Sequence, residues 1–351
     1  MITEPDGPPA GGTGRRGRRL RWRSLVAVLT LALTACGTPG GSGGGSGHGA
    51  TAQPAAQKMT LYTCLSDTSV QPVLAAFEKN EAGSTVELFR APTGQLNARI
   101  AADIRSGGLR ADVVWGCDPL TVQRLVDQKL VGGWIPPGAA AIPAEYRTGD
   151  YVGAHLLYLV AVHRTAVPAP RAWSDLAGPG YRKVAVPDPT VAASALGALG
   201  YFTENPDYGA SFYARLHSHG AVQVSTPDDV TTGVAQGIYD AGMTTANSAY
   251  AAVKDGSPVA VAWPEPGALA IYGPVALATR SAHAHVAKDF IGFVIGDAGQ
   301  RVLGASGAYP TRPGVPGPTV PPGAPVVHPD WGSIASTKAV LVQTYKKAME
   351  G

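Results

Sequence analysis

The stretch Arg110–Pro119, with the sequence RADVVWGCDP, decides the fold. Its centre, Val113 to Trp115, is apolar without polar alternation, which predicts a short strand covered on both faces, as in a parallel sheet. A Gly-Cys turn follows, and a helix opens at Asp118. Because ligands collect outside the carboxyl ends of such strands, residues 115–118 form the expected binding edge.

The chain before and after this stretch repeats a strand–helix alternation. Met59 to Cys64 is a strand that also ends in a cysteine, and a helix with apolar residues on one face follows it. Ser84 to Phe89 predicts the next strand, and Thr93 opens the next helix. Alternating units of this kind predict an α/β protein with right-handed connections and mostly parallel sheets flanked by helices.

The charge balance excludes nucleic acid as a partner. The formal net charge of +3 comes from the first 35 residues, which hold six arginines against Glu4 and Asp6. The rest of the chain has 22 basic and 23 acidic side chains. A near-neutral body without a basic stripe lacks the electrostatic signature of nucleic-acid binding.

Residues 1–35 have the order of a secretory signal: a basic run, an apolar segment and small residues. The apolar segment is far shorter than the roughly 20 residues that a membrane-spanning helix needs. The sequence LTAC at residues 33–36 resembles the lipobox of bacterial lipoproteins, in which Cys36 is lipidated and becomes the mature N-terminus. The alternative is an ordinary secretory signal with an incidental cysteine.

Residues 36–57 consist mostly of Gly, Ser, Ala, Pro and Thr. Such a composition predicts a flexible tether, because it offers too little apolar surface to fold. Lipid, tether and folded body together predict a protein anchored at the outer face of the cytoplasmic membrane. At the other end, residues 316–351 predict a Pro/Gly-rich loop and a closing helix.

The order of motifs resembles the extracellular solute-binding proteins of ABC importers, in the ferric-ion, phosphonate and thiamine branch with the type II periplasmic binding fold. The matching pieces run from Met59 to about Pro313. They include LYT at 61–63, TGQLNARI at 93–100, ADVVWG at 111–116, WSDL at 173–176, KVAV at 183–186, GVAQG at 233–237, PEPG at 264–267 and AKDFI at 287–291.

The resemblance implies two α/β lobes with a ligand cleft between them and hinge closure around the ligand. Lobe 1 would comprise residues 58–152 plus 268–315, and lobe 2 residues 153–267. The ligand would be a small molecule, and the protein partner would be the membrane subunits of an ABC permease.

Candidate ligand contacts lie where strands end and helices open, because helix starts expose backbone N–H groups that favour anions. Lobe 1 offers eight such residues: Thr63, Cys64, Ser66, Thr93, Gly94, Gly116, Cys117 and Asp118. Lobe 2 and the two segments that the resemblance implies cross between the lobes, near residues 153–155 and 267–272, offer nine more: His155, Thr190, Ser194, Thr244, Thr245, Asn247, Tyr250, Glu265 and Tyr272. Helix capping without any ligand is the competing interpretation for most of them. In lobe 2 the family often has Ser-Gly-Thr where this chain has Ala192-Ala193-Ser194, which weakens the case for a phosphate grip there.

Neither a metal site nor a cofactor is predicted. Iron-binding relatives carry adjacent tyrosines, and the sequence contains no Tyr-Tyr pair. Ferric iron needs several hard anionic oxygen ligands, and residues 244–247 do not offer them. The helix starts instead favour a small anionic or hydroxyl-rich solute.

Cys64 and Cys117 remain once Cys36 is assigned to lipid. In the family fold the first and third strands are parallel neighbours, so the resemblance implies that these two strand ends can form a disulfide. An even pair fits an oxidising compartment. The alternative is a catalytic cysteine, as in thiaminase-like enzymes on this fold, although no neighbouring base stands out.

The predicted function is therefore capture of a small solute for an ABC permease, without catalysis. A cleft enzyme that uses Cys64 or Cys117 is the first alternative. A ligand-sensing lipoprotein that presents its closed form to a receptor is the second.

Overall fold

The computed structural model describes residues 57–350, which lie within one compact unit. The predicted signal peptide (1–35), the lipidation of Cys36 and all of the predicted tether except Gln57 lie outside the described residues. Among residues 57–350, no helix has the length and apolar character that crossing a bilayer would require.

The first part of the fold alternates strands and helices as predicted. Helix α1 buries Val70, Val73, Leu74 and Phe77, which recur at helical spacing on one face. The elements are β1 (Gln57–Thr63), α1 (Asp67–Asn80), β2 (Ser84–Arg90), α2 (Thr93–Arg105), β3 (Val113–Trp115) and α3 (Pro119–Asp127).

The middle of the chain begins with a long strand, β4 (Val152–Arg164), after two short 3-10 turns at Pro137–Ala141 and Ala144–Tyr146. A third 3-10 turn, Trp173–Ala177, leads into a second series of strands and helices. These are β5 (Val184–Pro187), α4 (Ala193–Glu204), α5 (Phe212–Ser218), β6 (Val222–Val224), α6 (Pro227–Ala235), β7 (Ala241–Thr245), α7 (Ala246–Lys254) and β8 (Val259–Ala262).

The last part returns to the first half of the sheet through a second long strand. The elements are β9 (Ala268–Leu277), α8 (Ala284–Ile295), α9 (Asp297–Ala305), β10 (Tyr309–Pro310), β11 (Val326–Val327) and α10 (Trp331–Glu350).

The described strands form one mixed sheet in the order β2-β1-β3-β9-β4-β7-β5-β6, with β8 and β10 paired to β4 and β11 paired to β9. The two flanks, β2-β1-β3 and β7-β5-β6, are parallel as predicted. Every antiparallel pair involves β4 or β9, the two long strands that join the flanks. Each parallel flank therefore directs all its carboxyl ends to one edge.

Each flank has its own aromatic core. On the β1–β3 side, Trp115 and Phe77 pack against Phe290 of α8, with the Phe77 and Phe290 ring centres 5.1 Å apart. On the other side, Phe202 of α4 packs against Trp173 and Phe212 at 5.5 and 4.6 Å. Two such cores, joined by β4 and β9, give the two-lobed architecture of this fold.

The C-terminal helix α10 packs on the second core. Gly197 and Gly200 of α4 allow this contact, since a Cβ at Gly200 would lie 2.3 Å from the Ile334 side chain. Ile334 and Tyr345 are buried there. The predicted closing helix is thus a structural part of the second half of the molecule.

Candidate binding cleft

A cavity that opens to solvent, with an open volume of about 610 Å³, lies where the carboxyl ends of the two parallel flanks face each other. Its walls come from the ends of β1, β2 and β3 on one side and of β5, β6 and β7 on the other. The lining residues are Cys64, Ser66, Arg90, Pro92, Thr93, Cys117, Leu157, Val191, Ala192, Ala193, Ser194, Thr226, Pro227, Asp228, Thr245 and Asn247.

Six helices begin at this cavity, and they differ in how their first turns are capped. Asp118 caps α3, because its Oδ1 accepts the Thr121 backbone N–H at 2.7 Å. Thr226 and Asp229 cap α6 reciprocally. The residues before α1, α2, α4 and α7 make no side-chain cap bond. Four helix starts thus present first-turn N–H groups and the positive end of the helix dipole near the cavity, which favours an anion.

Arg90 is the cation of the cavity wall, and sequence reasoning missed it. Its Nε donates to the Leu65 carbonyl oxygen at 2.8 Å, which holds the guanidinium at the end of β2. Within residues 57–350 it makes no salt bridge. The sequence did contain a signal for Arg90, because this residue ends β2 just as Thr63 ends β1. The carboxylate in the cavity lining belongs to Asp228, which lies on the opposite wall and is solvent-exposed.

Asn247 carries an unpartnered polar atom in the cavity wall. Its Oδ1 is buried and has no hydrogen-bond partner within the described chain. Asn247 lies in the first turn of α7, next to the uncapped helix start at Thr245. Burying an unpaired polar atom costs free energy, so this position suits a ligand that brings its own hydrogen-bond partner.

Cys64 and Cys117 form a disulfide with their Cα atoms 5.9 Å apart, which confirms the predicted pairing. The bond links the loops that follow β1 and β3, and both cysteines line the cavity. It therefore fixes the entry of the chain into α1 relative to the entry into α3. Because both sulfur atoms are engaged, neither is a thiolate nucleophile in this form.

Seven of the predicted contacts line the cavity. An eighth, Gly94, lies beside the cavity and brings its walls together, since its N–H donates to the Val191 carbonyl oxygen at 3.0 Å. A Cβ on Gly94 would lie only 2.7 Å from the Thr190 carbonyl oxygen. The start of α2 therefore touches the loop after β5 directly. The seven lining residues are Cys64, Ser66, Thr93, Cys117, Ser194, Thr245 and Asn247.

Three predicted residues form hydrogen bonds within the protein at the strand ends and do not line the cavity. Thr63 is buried, and its Oγ1 donates to the Trp115 carbonyl oxygen at 2.8 Å. Gly116 donates its N–H to the Pro274 carbonyl oxygen. Asp118 is buried as the cap of α3, and burial raises the pKa of its carboxyl group while its bonds to Thr121 oppose that rise.

His155 is buried beneath the cleft and does not line it. Its Nδ1 accepts the Trp115 indole N–H at 3.0 Å, so the neutral ring carries its proton on Nε2, which has no partner within the described chain. Burial lowers the pKa of His155 to about 3. The ring is thus neutral and structural across the physiological pH range.

The remaining predicted residues also lie away from the lining. The Thr190 Oγ1 donates to the Asp188 carboxylate at 2.7 Å, and Thr244 is buried with its Oγ1 2.7 Å from that of Thr231. Tyr250 accepts the indole N–H of Trp263 through its hydroxyl oxygen. Glu265 is exposed and makes backbone bonds to 171 and 173, and Tyr272 packs on Tyr146 with ring centres 5.4 Å apart.

The described residues contain no group of three or more His, Cys, Asp or Glu side chains placed to hold a metal ion. The cavity wall also lacks tyrosine. Its polar groups are one guanidinium, backbone N–H groups, hydroxyls, an amide and the exposed Asp228 carboxylate.

Residues 66–308 match the family model described as bacterial extracellular solute-binding protein. The chain belongs to this family. The match covers most of both flanks and nearly every residue of the cavity wall. As a solute-binding protein of this family, the chain acts outside the cytoplasm as the binding component of an importer.

Solved structures of solute-binding proteins show the same two-lobed fold. The periplasmic binding protein AfuA of Actinobacillus pleuropneumoniae, with bound fructose-6-phosphate, has a TM-score of 0.75 at 15% identity and covers 84% of this chain and 98% of its own. Apo ferric ion-binding protein A of Pasteurella haemolytica has a TM-score of 0.70 at 19% identity, with coverage of 84% and 98%. A periplasmic thiamin binding protein has a TM-score of 0.69 at 19% identity, with coverage of 83% and 96%. At these identities the likeness shows the fold alone. A search of curated protein sequences gives no match.

Proposed function

We propose that this solute-binding protein captures a small organic anion with hydroxyl groups, such as a sugar phosphate or a phosphonate, and delivers it to an ABC permease. The observation that carries the proposal is the convergence of four uncapped helix starts and Arg90 on one cavity. Helix starts and a guanidinium both stabilise an oxyanion. The unpartnered Asn247 Oδ1 supplies an acceptor for a ligand hydroxyl.

The fold suggests how the solute is enclosed. We infer that residues 58–152 and 268–315 form lobe 1, that residues 153–267 form lobe 2, and that residues 316–351 extend onto lobe 2 through α10. The crossings lie in β4 and β9, which pair antiparallel along most of their length. Rotation of the lobes about these strands would open and close the cavity, and the Gly94–Val191 hydrogen bond would form on closure.

The family membership and the LTAC motif at residues 33–36 support a proposal for the location. We propose that Cys36 is lipidated and holds the protein at the outer face of the cytoplasmic membrane. A protein held there can present captured solute to the membrane subunits of the permease, and the lobe surfaces at the cleft mouth would dock on them. Mass spectrometry of the membrane fraction would detect the lipid on Cys36.

The ligand class is tested by a thermal-shift screen over sugar phosphates, phosphonates, ferric ion, thiamine and polyamines. A ligand at 100 times its dissociation constant adds about 2.7 kcal/mol to the free energy of unfolding. We expect an organic phosphate or phosphonate to raise the melting temperature. A shift caused by ferric ion or a polyamine, with none from the anions, would reject an anionic ligand while leaving solute binding intact.

The role of Arg90 is tested by calorimetry with the anion that the screen identifies. Arg90→Gln should weaken binding about 10- to 100-fold, because a charge-assisted hydrogen bond contributes about 1.5–3 kcal/mol. Arg90→Lys keeps the charge and should lose less. Lys254→Gln removes an exposed charge at the far end of α7 and serves as the control. Equal affinity of wild type and Arg90→Gln would contradict the assignment.

The disulfide argues against a cysteine-dependent enzyme on this scaffold. Because Cys64 and Cys117 are bonded to each other, titration of the denatured, unreduced protein should find neither as a free thiol. A reactive thiol in the native cleft would instead support the thiaminase-like alternative.

A further inference from the structure

We propose that a basic groove on lobe 1, at the opposite ends of the strands from the cleft, binds the phosphate headgroups of anionic phospholipids. The groove is formed by the end of α2, the end of α3 and the segment after β9, and its cations are Arg110, Lys129 and Arg280. This proposal rests on the membrane location given under Proposed function, and it adds an interaction surface to that location.

The three cations are exposed and uncompensated. Within residues 57–350 none of them makes a salt bridge. The groove has an open volume of about 1340 Å³, and no acidic residue lines it. Arg105, the last residue of α2, is a fourth exposed cation beside it.

Three carboxylates flank the groove lining in sequence. Asp127 is exposed, and its Oδ1 accepts from the Gln123 side chain at 2.9 Å, whereas the other two are buried. Asp103 is buried and engaged by Arg99 and the Tyr62 hydroxyl group. Asp112 is buried and accepts from Ser281 and from the Thr60 N–H. Two carboxylates near the groove are therefore turned inward, which leaves its surface with a net positive charge.

The position of the groove agrees with a membrane partner. The groove lies at the amino-terminal ends of β1 and β3, and Gln57, where β1 begins, lies at the same edge. Gln57 lies only 21 positions after Cys36, the predicted site of the lipid, which corresponds to a span of at most about 75 Å. Contact through this edge leaves the ligand cleft at the opposite ends of the strands free to take up solute.

Vesicle sedimentation tests the groove without the covalent lipid. The protein is the chain from residue 36 onward with Cys36→Ser, which contains the whole compact unit of residues 52–351. Wild type should bind vesicles with 30% phosphatidylglycerol in phosphatidylcholine, should bind pure phosphatidylcholine far less, and should be released by 0.5 M salt. Removing each cation should lower the partition coefficient about fivefold, and Arg110→Gln, Lys129→Gln and Arg280→Gln together should lower it about 100-fold.

A matched triple variant distinguishes binding through the groove from a general effect of net charge on vesicle binding. Lys254→Gln, Lys346→Gln and Lys347→Gln remove the same number of exposed cations from α7 and α10 and should change partition little. Equal losses in both variants, or equal binding to neutral and anionic vesicles, would overturn the proposal. Release by millimolar glycerol phosphate at constant ionic strength would also overturn it, in favour of a soluble-anion site. Solute affinity should be the same in both triple variants, so the outcome is independent of the cleft.

Discussion

At the scale of single residues, substitution of Asn247 should affect ligand binding and stability differently. Its buried Oδ1 has no partner in the described chain, so Asn247→Ala should leave the free energy of unfolding unchanged or raise it by up to about 1 kcal/mol. The same change should weaken solute binding about tenfold. Chemical denaturation and calorimetry measure the two effects on the same preparations.

Asn247→Asp distinguishes the sign of the ligand charge. A carboxylate at the start of α7 would repel an anion, so we expect Asn247→Asp to bind more weakly than Asn247→Ala. A cationic ligand would give the reverse order. That reversal would contradict the proposed ligand class without affecting the solute-binding function.

His155 predicts a pH dependence of stability. Its pKa is lowered by burial to about 3, whereas in the unfolded chain it is about 6.5. Between these values the unfolded state binds a proton that the folded state does not, so the free energy of unfolding falls as pH falls below 6.5. The contribution is about 1.4 kcal/mol per pH unit, or about 2 kcal/mol between pH 6.5 and pH 5.

Urea denaturation at pH 7 and pH 5 tests this dependence. His155→Gln retains an acceptor for the Trp115 indole N–H and should show a smaller loss of stability on acidification than wild type. His285→Gln, at a histidine whose side chain is 83% exposed, is the control and should behave as wild type. A loss in His155→Gln as large as that of wild type would show that His155 is not the group responsible.

At the scale of secondary-structure elements, we expect a substitution at the start of α2 to impair closure of the cleft. Gly94→Ala would place a methyl group 2.7 Å from the Thr190 carbonyl oxygen, so the walls of the cleft would have to separate. We expect about a tenfold loss of solute affinity by calorimetry. The stability of the unliganded protein should not fall, because alanine has a higher helix propensity than glycine.

The matched control is Gly138→Ala, where an added Cβ meets nothing within 4 Å. It should leave affinity unchanged. If Gly94→Ala also left affinity unchanged, the contact between α2 and the loop after β5 would be irrelevant to binding.

At the scale of the whole molecule, the disulfide should stabilise the fold and preserve the cleft. Cys64 and Cys117 are 53 residues apart, which corresponds to about 4 kcal/mol in the chain-entropy model. Cys64→Ala with Cys117→Ala should therefore lower the free energy of unfolding by about that amount. Solute affinity should fall as well, because the loops before α1 and α3 are no longer linked.

Denaturation with and without reductant provides the internal control. Reductant should destabilise wild type and leave the double variant unchanged. Equal stability of oxidised wild type and the double variant would show that the bond contributes nothing to the fold.

The sequence by itself determined the local elements and pointed to the sheet edge at which the cavity lies. The apolar run at residues 113–115 and the helical spacing of Val70 to Phe77 are encoded by neighbouring residues, and the structure contains the predicted strand and helix. The pairing of Cys64 with Cys117 was implied by the resemblance to solute-binding proteins, and the structure contains that disulfide as well. The predicted lipid and tether depend on residues outside the described part of the chain.

Only the tertiary structure decided which strand ends face each other. Arg90 and Asn247 come from opposite flanks and meet across one cavity because β4 and β9 pair over most of their length and join the two flanks. Thr63, Thr244 and His155 occupy equally favourable positions in the sequence, yet their side chains turn into the core and bond there. Periodicity is a property of neighbouring residues, whereas the direction of a strand-end side chain depends on packing between distant ones. The sequence therefore pointed to the sheet edge at which the cavity lies, and long-range packing selected the residues that line the cavity.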